Sequence, residues 1–189
     1  LDPRPETELI IKKVKNYFPN NNKSLKILDM CTGSGCLAIS LAKEYLNSDV
    51  TATDISKKAL KIANKNALAL GCSKNINFIH CDLLDKLTHF DIVVSNPPYI
   101  SKEKYQELSL DIKLYEPKLA LLSKDYGYEF YYKIANILPQ ILKKYSFAFI
   151  EISSNQAVKA EKIFKKSKIN CVKVAKDLRN LDRVLILNK

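Results

Sequence analysis

The sequence predicts an α/β protein: a mostly parallel seven-stranded sheet with helices on both faces. Three observations carry that prediction. Short β-rich apolar runs alternate with longer helical patterns along the whole chain, the arrangement that yields parallel strands joined by right-handed crossovers. The run 90–95 (Phe-Asp-Ile-Val-Val-Ser) is apolar almost throughout, as in a central strand covered on both faces. A glycine-containing turn lies between the first strand and its helix.

Taken in order, an N-terminal helix leads through the loop Asn20-Asn21-Asn22 into a first strand, 25–30. A helix should follow from about Gly35 to Tyr45, with Leu37, Ile39, Leu41 and Ala42 supplying its apolar contacts. A second strand covers 50–54. Ser56 can cap the next helix, which carries Leu60, Ile62, Ala63, Ala67 and Leu70 before Gly71 stops it. Strands three and four are expected at 76–80 and 90–95. After a loop region, a helix spans 127–144, with Pro139 bending or interrupting it. A fifth strand at 147–152, a helix at 156–166 and strands at 169–175 and 184–187 complete the sheet. There are no internal repeats or low-complexity tracts, and residues 1–189 read as one domain.

The chain has 189 residues, 47% hydrophobic and 27% charged, enough to bury one sizeable core. No apolar run is long enough to cross a bilayer, and the segment Leu1-Asp2-Pro3-Arg4-Pro5-Glu6 does not resemble a signal peptide. No membrane partner is expected. The five cysteines, Cys31, Cys36, Cys72, Cys81 and Cys171, form no C-x-x-C pair. That pattern argues against a metal site or a disulfide framework and for a cytoplasmic location. The formal charge is +11, from 31 basic and 20 acidic residues, which draws the chain toward polyanionic surroundings. Apart from Arg4, Arg179 and Arg183 the basic residues are all lysine, and base-edge recognition favours Arg forks. Nucleic acid is therefore an admissible partner and not the favoured one.

Two clusters carry chemistry. In Asp29-Met30-Cys31-Thr32-Gly33-Ser34-Gly35, glycines let backbone approach a ligand closely, and the following helix offers free N–H groups. Asp54 ends the second strand, where an acid accepts hydrogen bonds from ribose hydroxyls, and Asp82 follows the third on the same carboxyl edge. A full G-x-G-x-x-G is lacking, and no Gly-Lys-Ser/Thr follows, which argues against a dinucleotide site and a P-loop. Each signal alone also fits a tight turn, a capping acid or a loop acid.

The second cluster, Asn96-Pro97-Pro98-Tyr99, follows the fourth strand immediately. Its prolines stiffen the segment and remove two N–H donors, freeing nearby carbonyls to face a ligand. Asn96 adds a side-chain acceptor and Tyr99 an aromatic face. Two acceptors can hold both hydrogens of a planar –NH₂ group while the ring packs against its plane. Held that way, a delocalised nitrogen becomes a better nucleophile, and it needs no strong base before attack. The motif alone does not separate a nucleobase amino group from a glutamine amide.

The pattern D-x-x-x-G-x-G at 29–35, with acids after strands two and three, resembles the Rossmann-like S-adenosylmethionine methyltransferases. More of the chain points one way. Pro3 to Glu8, L-D-M-C-T-G-S-G at 28–35, N-P-P-Y-I at 96–100, Tyr115-Glu116-Pro117 and Asp177 to Arg183 resemble the HemK-type peptide-chain release factor glutamine methyltransferases. The resemblance covers essentially the whole chain; N-P-P-Y is widely shared, whereas P-R-P-E-T and D-L-x-x-x-D-R are more specific. It implies S-adenosyl-L-methionine as cofactor, S-adenosyl-L-homocysteine as product, and the glutamine of a Gly-Gly-Gln loop as acceptor, giving N5-methylglutamine. It implies that Cys31, Thr32, Gly33, Ser34 and Gly35 line the methionine moiety with Asn96 alongside, that Asp54 binds ribose, and that Asp82 and Leu83 flank adenine. Asn96 and the Pro97 carbonyl would hold the glutamine amide, with Pro98 stiffening the segment and Tyr99 packing beside it. Arg4 and Glu6 would sit in a segment closing over the site, unless they form only a structural turn. A bacterial-type or organellar release factor is the implied partner, so an organellar matrix is the alternative location, and a monomer is expected.

Departures from the family accompany this. Cys31 stands where many relatives have glycine, Leu83 replaces a larger aromatic, and Ile152 to Gln156 lacks a glycine common after Glu151. The small N-terminal helical domain that helps such enzymes grip the release factor is absent from these residues. Three other readings remain at this point: methylation of a ribosomal-protein glutamine, methylation of a nucleic-acid amino group, and a non-catalytic cofactor-binding module. Intact Asn96 and Tyr99 argue against the last, because binding alone needs no acceptor pair.

Overall fold

The computed structural model describes residues 5–84 and 88–189. Among these, α1 (Pro5–Tyr17) leads into alternating β1 (Lys26–Met30), α2 (Cys36–Glu44), β2 (Asp49–Asp54), α3 (Lys57–Ala69), β3 (Ile76–His80) and β4 (Phe90–Ser95). Together with β5 (Leu142–Glu151), β6 (Asn170–Lys176) and β7 (Asp182–Asn188), these strands form one seven-stranded sheet in the order β3-β2-β1-β4-β5-β7-β6. All pairs are parallel except those of β7, which runs antiparallel to both its neighbours. The chain steps outward from β1 through β2 to β3, then returns to place β4 on the other side of β1. Between β1 and β4 lies the switch point, where ligands of open α/β sheets bind at the carboxyl ends of the strands.

Alternation along the strands divides the core into two layers. Ile27, Ile92, Val94, Phe149 and Ile186 face one side and pack with Ile10 and Val14 of α1 and with the α2 side chains. Their neighbours Leu28, Val93, Ile150 and Leu185 face the other side, against Tyr131, Ile134 and Leu138. Helix α1 packs on β5 and α2. Its Tyr17 ring meets Phe147 and Phe149 edge-on at 4.7 and 5.7 Å, geometry that adds to simple area burial. Helix α3 begins where Ser56 Oγ accepts from Ala59 N, the cap read from the sequence.

Residues 101–128 depart from the expected loop. They hold α4 (Lys102–Glu107), α5 (Leu110–Tyr115), α6 (Lys118–Leu121) and α7 (Lys124–Gly127), the last kinked by left-handed Asp125 and Tyr126. Ser101, Ser109 and Pro117 stand at the N-terminal caps of the first three and punctuate the pattern too often for periodicity to register. The two ends of this excursion meet beside the N-P-P-Y segment. Ile100 N donates to Leu121 O at 3.0 Å, and Ser123 N donates to Ile100 O at 2.9 Å.

Helix α8 (Glu129–Ile141) ends two residues after Pro139 rather than at 144, and β5 (Leu142–Glu151) starts at once rather than at 147. Proline brings no N–H and crowds the preceding turn, while buried Leu142 is already paired with Phe90 of β4. Helix α9 (Ala157–Lys166) and the hairpin of β6 (Asn170–Lys176) and β7 (Asp182–Asn188) finish the chain. Among the described residues no helix is long and apolar enough to cross a membrane.

Candidate active site at the carboxyl edge

β1 and β4 are adjacent, and their ends are tied by the Ser95 hydroxyl donating to Met30 O at 2.8 Å. The glycine turn and N-P-P-Y therefore leave the sheet side by side. In the turn, buried Asp29 Oδ2 accepts from the Thr32 hydroxyl at 2.6 Å and from Ala38 N at 3.0 Å, closing the turn onto the start of α2. Among the described residues its Oδ1 is buried without a hydrogen-bond partner. Burial pushes the Asp29 pKa up to about 7, against the opposing pull of those two hydrogen bonds.

Cys31 adopts φ +60, Gly33 +58 and Gly35 +85, so the turn passes through left-handed backbone at three positions. Burial, with the carboxylates of Asp54 and Asp29 nearby, pushes the Cys31 thiol up, and it stays protonated. Among the described residues, a side chain at Gly33 would meet nothing within 4 Å, whereas one at Gly35 would lie 3.0 Å from Ala63 Cβ. Gly33 thus borders open space and Gly35 a packed helix contact.

Asp54 is brought to this turn. Its Oδ2 accepts from Gly33 N at 2.9 Å and its Oδ1 from Ser56 N at 2.8 Å. These donors hold the carboxylate in one orientation, leaving further lone pairs for hydroxyl donors. Next along the edge, Leu83 has φ +61, and its carbonyl accepts the Thr53 hydroxyl. The Leu83 side chain is 4% exposed and packs in the core, so in this arrangement Asp82 is the member of the pair that faces outward. Asp82 is exposed and paired with Lys133 of α8 at 3.1 Å, which also reaches Glu129 at 3.3 Å.

At the reacting end, Pro97 and Pro98 are buried while Asn96 and Tyr99 are half-buried. Asn96 Nδ2 donates to Thr7 Oγ1 at 3.1 Å, and Thr7 Oγ1 donates to Glu151 Oε2 at 3.0 Å. The Tyr99 hydroxyl donates to Glu151 Oε1 at 3.3 Å. Glu151, 2% exposed at the end of β5, thus ties both ends of the tetrapeptide. Gln156 Nε2 donates to Tyr99 O at 3.2 Å, while Gln156 Oε1 accepts from the Tyr131 hydroxyl at 2.9 Å. Gly127 lies so close that a Cβ there would overlap Tyr99 O. Among the described residues, Asn96 Oδ1 and the Pro97 carbonyl have no hydrogen-bond partner.

The structure brings together Cys31 to Gly35, Asp54 and Asn96 to Tyr99, with Asp82 further along the same edge. Arg4 lies outside the described residues. Sequence reasoning missed Thr7, Glu151, Gln156 and Gly127 as site residues. One signal was available: Glu151 is a carboxylate directly after the apolar run 147–150. The segment Asp177 to Arg183 bridges β6 and β7 at this same edge, with Arg183 Nε on Asp177 Oδ2 at 2.9 Å and Arg183 O accepting from Ile152 N.

The family described as "Methyltransferase small domain" matches residues 5–116, the stretch that carries the switch-point glycine turn, the acid ending β2 and the N-P-P-Y segment after β4. The release factor glutamine methyltransferase of Lactococcus lactis is 41% identical over 187 residues, 98% of this chain and 68% of that protein. Its counterpart in Fusobacterium nucleatum is 37% identical over 192 residues, 100% of this chain and 54% of that protein. The chain belongs to the release factor glutamine methyltransferase family. It spans between about half and two thirds of the length of these relatives. Two solved structures share the fold. The protein-(glutamine-N5) methyltransferase (release factor-specific) of Alicyclobacillus acidocaldarius has TM-score 0.59 at 24% identity, covering 98% of this chain and 92% of that one. The ribosomal protein L11 methylase of Lactobacillus delbrueckii has TM-score 0.70 at 22% identity, covering 100% and 80%.

Proposed function

We propose that this chain transfers the methyl group of S-adenosyl-L-methionine to the side-chain amide nitrogen of the glutamine in the Gly-Gly-Gln motif of peptide chain release factors. The products are N5-methylglutamine and S-adenosyl-L-homocysteine. The observation that carries the reading is the pair of partnerless acceptors, Asn96 Oδ1 and the Pro97 carbonyl, standing at the switch point beside the glycine turn.

The turn suits the cofactor on structural grounds: open space over Gly33 admits a ligand, and the twice-anchored Asp54 carboxylate suits vicinal hydroxyls. Residues 31–35 would hold the methionine portion, Asp54 the ribose, and Asp82 with the Leu83 backbone the adenine side. When bound, the cofactor supplies an electrophilic methyl group on a sulfonium sulfur. The rest is the work of the chain. Asn96 Oδ1 and Pro97 O each accept one amide hydrogen, which draws the nitrogen lone pair out of conjugation and aims it. Buried Pro97 and Pro98 keep the segment rigid and exclude water. The nitrogen turns acidic only as it is methylated, so its proton leaves to solvent and no strong base is needed. We further propose that residues 1–189 act as one catalytic domain and as a monomer.

Methyl transfer from labelled cofactor tests the assignment, with release factor, its Gly-Gly-Gln→Gly-Gly-Ala variant, a ribosomal protein and DNA as acceptors. Label is expected on the release factor and not on the Ala variant. Equal labelling of the two would sink the glutamine assignment, and label on DNA alone would move the chain to base methylation.

A further inference from the structure

The bonds at the start of N-P-P-Y run in one direction. A threonine hydroxyl has one proton to donate. At Thr7 that proton goes to Glu151 Oε2 at 3.0 Å, so toward Asn96 the oxygen offers only lone pairs. Asn96 answers with its NH₂, Nδ2 lying 3.1 Å from Thr7 Oγ1. Turned the other way, the Asn96 oxygen would face those lone pairs, and its NH₂ would face the acceptor's own N–H.

We propose that Thr7 is a positioning residue. It passes the orientation of the Glu151 carboxylate to Asn96, locking the amide so that Oδ1, and not Nδ2, faces the methyl acceptor. The inference deepens the glutamine-methylation reading and rests on it for its consequence: the site demands an N–H donor. A glutamine side chain meets that demand and an isosteric glutamate does not, because its carboxylate would be met by oxygen acceptors alone. Without the hydroxyl, Asn96 samples both flips and the distinction weakens. Thr7 is buried, 7% exposed, and among the described residues its side chain bonds to these two.

Thr7→Val keeps the shape and removes the hydroxyl, while Thr7→Ser keeps the hydroxyl. In the full protein, kcat and KM toward release factor are measured together with cofactor affinity and melting temperature. Thr7→Val should lower kcat about 10- to 100-fold with cofactor Kd unchanged within about twofold, and Thr7→Ser should recover to within about threefold of wild type. Inhibition by a Gly-Gly-Glu peptide should strengthen in Thr7→Val and not in Thr7→Ser. Val as active as wild type, or Ser as impaired as Val, overturns the proposal. A readout independent of any acceptor is the Asn96 side-chain amide in ¹H–¹⁵N spectra, assigned by its loss in Asn96→Asp. Its two protons should shift in Thr7→Val and return in Thr7→Ser; signals unmoved in Thr7→Val overturn the relay. Failure of the wild type to label glutamine would instead refute the proposed function, and the amide spectra would still decide the relay.

Discussion

Cys31 sits at φ +60, a left-handed position that costs a β-carbon-bearing residue about 1–2 kcal/mol and that glycine takes freely. The departure read from the sequence, a cysteine where relatives carry glycine, therefore falls where the turn is most strained. Asp29 lies two residues earlier, buried and pushed up to about 7. Between about 3.8 and 7 the folded state holds a proton that the unfolded state has released, so stability should fall as pH rises through that window. The fall is at most about 1.4 kcal/mol per pH unit. In Asp29→Asn the decline should disappear; urea midpoints of both proteins at pH 5 and pH 8 measure it, since other titrating groups contribute to each alike. Asn96→Ala should remove most turnover while changing cofactor affinity by less than about tenfold, as expected of a contact made chiefly in the transition state. Asp54→Ala should do the reverse, weakening cofactor binding first. Calorimetry of cofactor binding alongside single-turnover rates separates the two, and a collapse of cofactor affinity in Asn96→Ala would contradict the assigned role.

Glycines show how an element can be legible while its purpose is not. Gly33 and Gly35 are marked by the sequence as one ligand-binding turn, yet the structure gives them different surroundings. Gly33→Ala should cost only about 1–2 kcal/mol of backbone strain while intruding on the open space and weakening cofactor binding. Gly35→Ala adds contacts at 3.0 and 3.1 Å to Ala63 Cβ and Ile39 Cδ1, and should destabilise the fold by about 2–4 kcal/mol. Denaturation midpoints and cofactor titration of the two variants check the contrast. Gly127 reads from the sequence merely as the start of a helix. Its true constraint is Tyr99 O, 28 residues back, which no local pattern records. Gly127→Ala should push on N-P-P-Y and lower kcat by more than its loss of stability explains. The short helices between 101 and 128 were equally invisible, because elements of four to six residues complete too few turns to leave a 3.6-residue period.

Across the molecule, α1 joins the core to the site. Ile10 and Val14 are wholly buried on one layer of the sheet, and the same helix sets Thr7 on Glu151. Ile10→Ala should cost about 2–4 kcal/mol, read from urea unfolding, and should depress methyl transfer further by loosening Thr7 at temperatures where the protein remains folded. The order of apolar runs was enough to determine a mostly parallel sheet, and right-handed crossovers then place every turn after a parallel strand on one edge. For that reason Cys31 to Gly35, Asp54, Asp82 and Asn96 to Tyr99 are assigned to one sheet edge by the sequence alone. What only the tertiary structure decided is how that edge is braced. Thr7 and Glu151 are 144 positions apart, and their meeting depends on the angle at which α1 crosses β5. That angle comes from side-chain packing across two layers, a property of the whole core that no periodicity in the chain encodes.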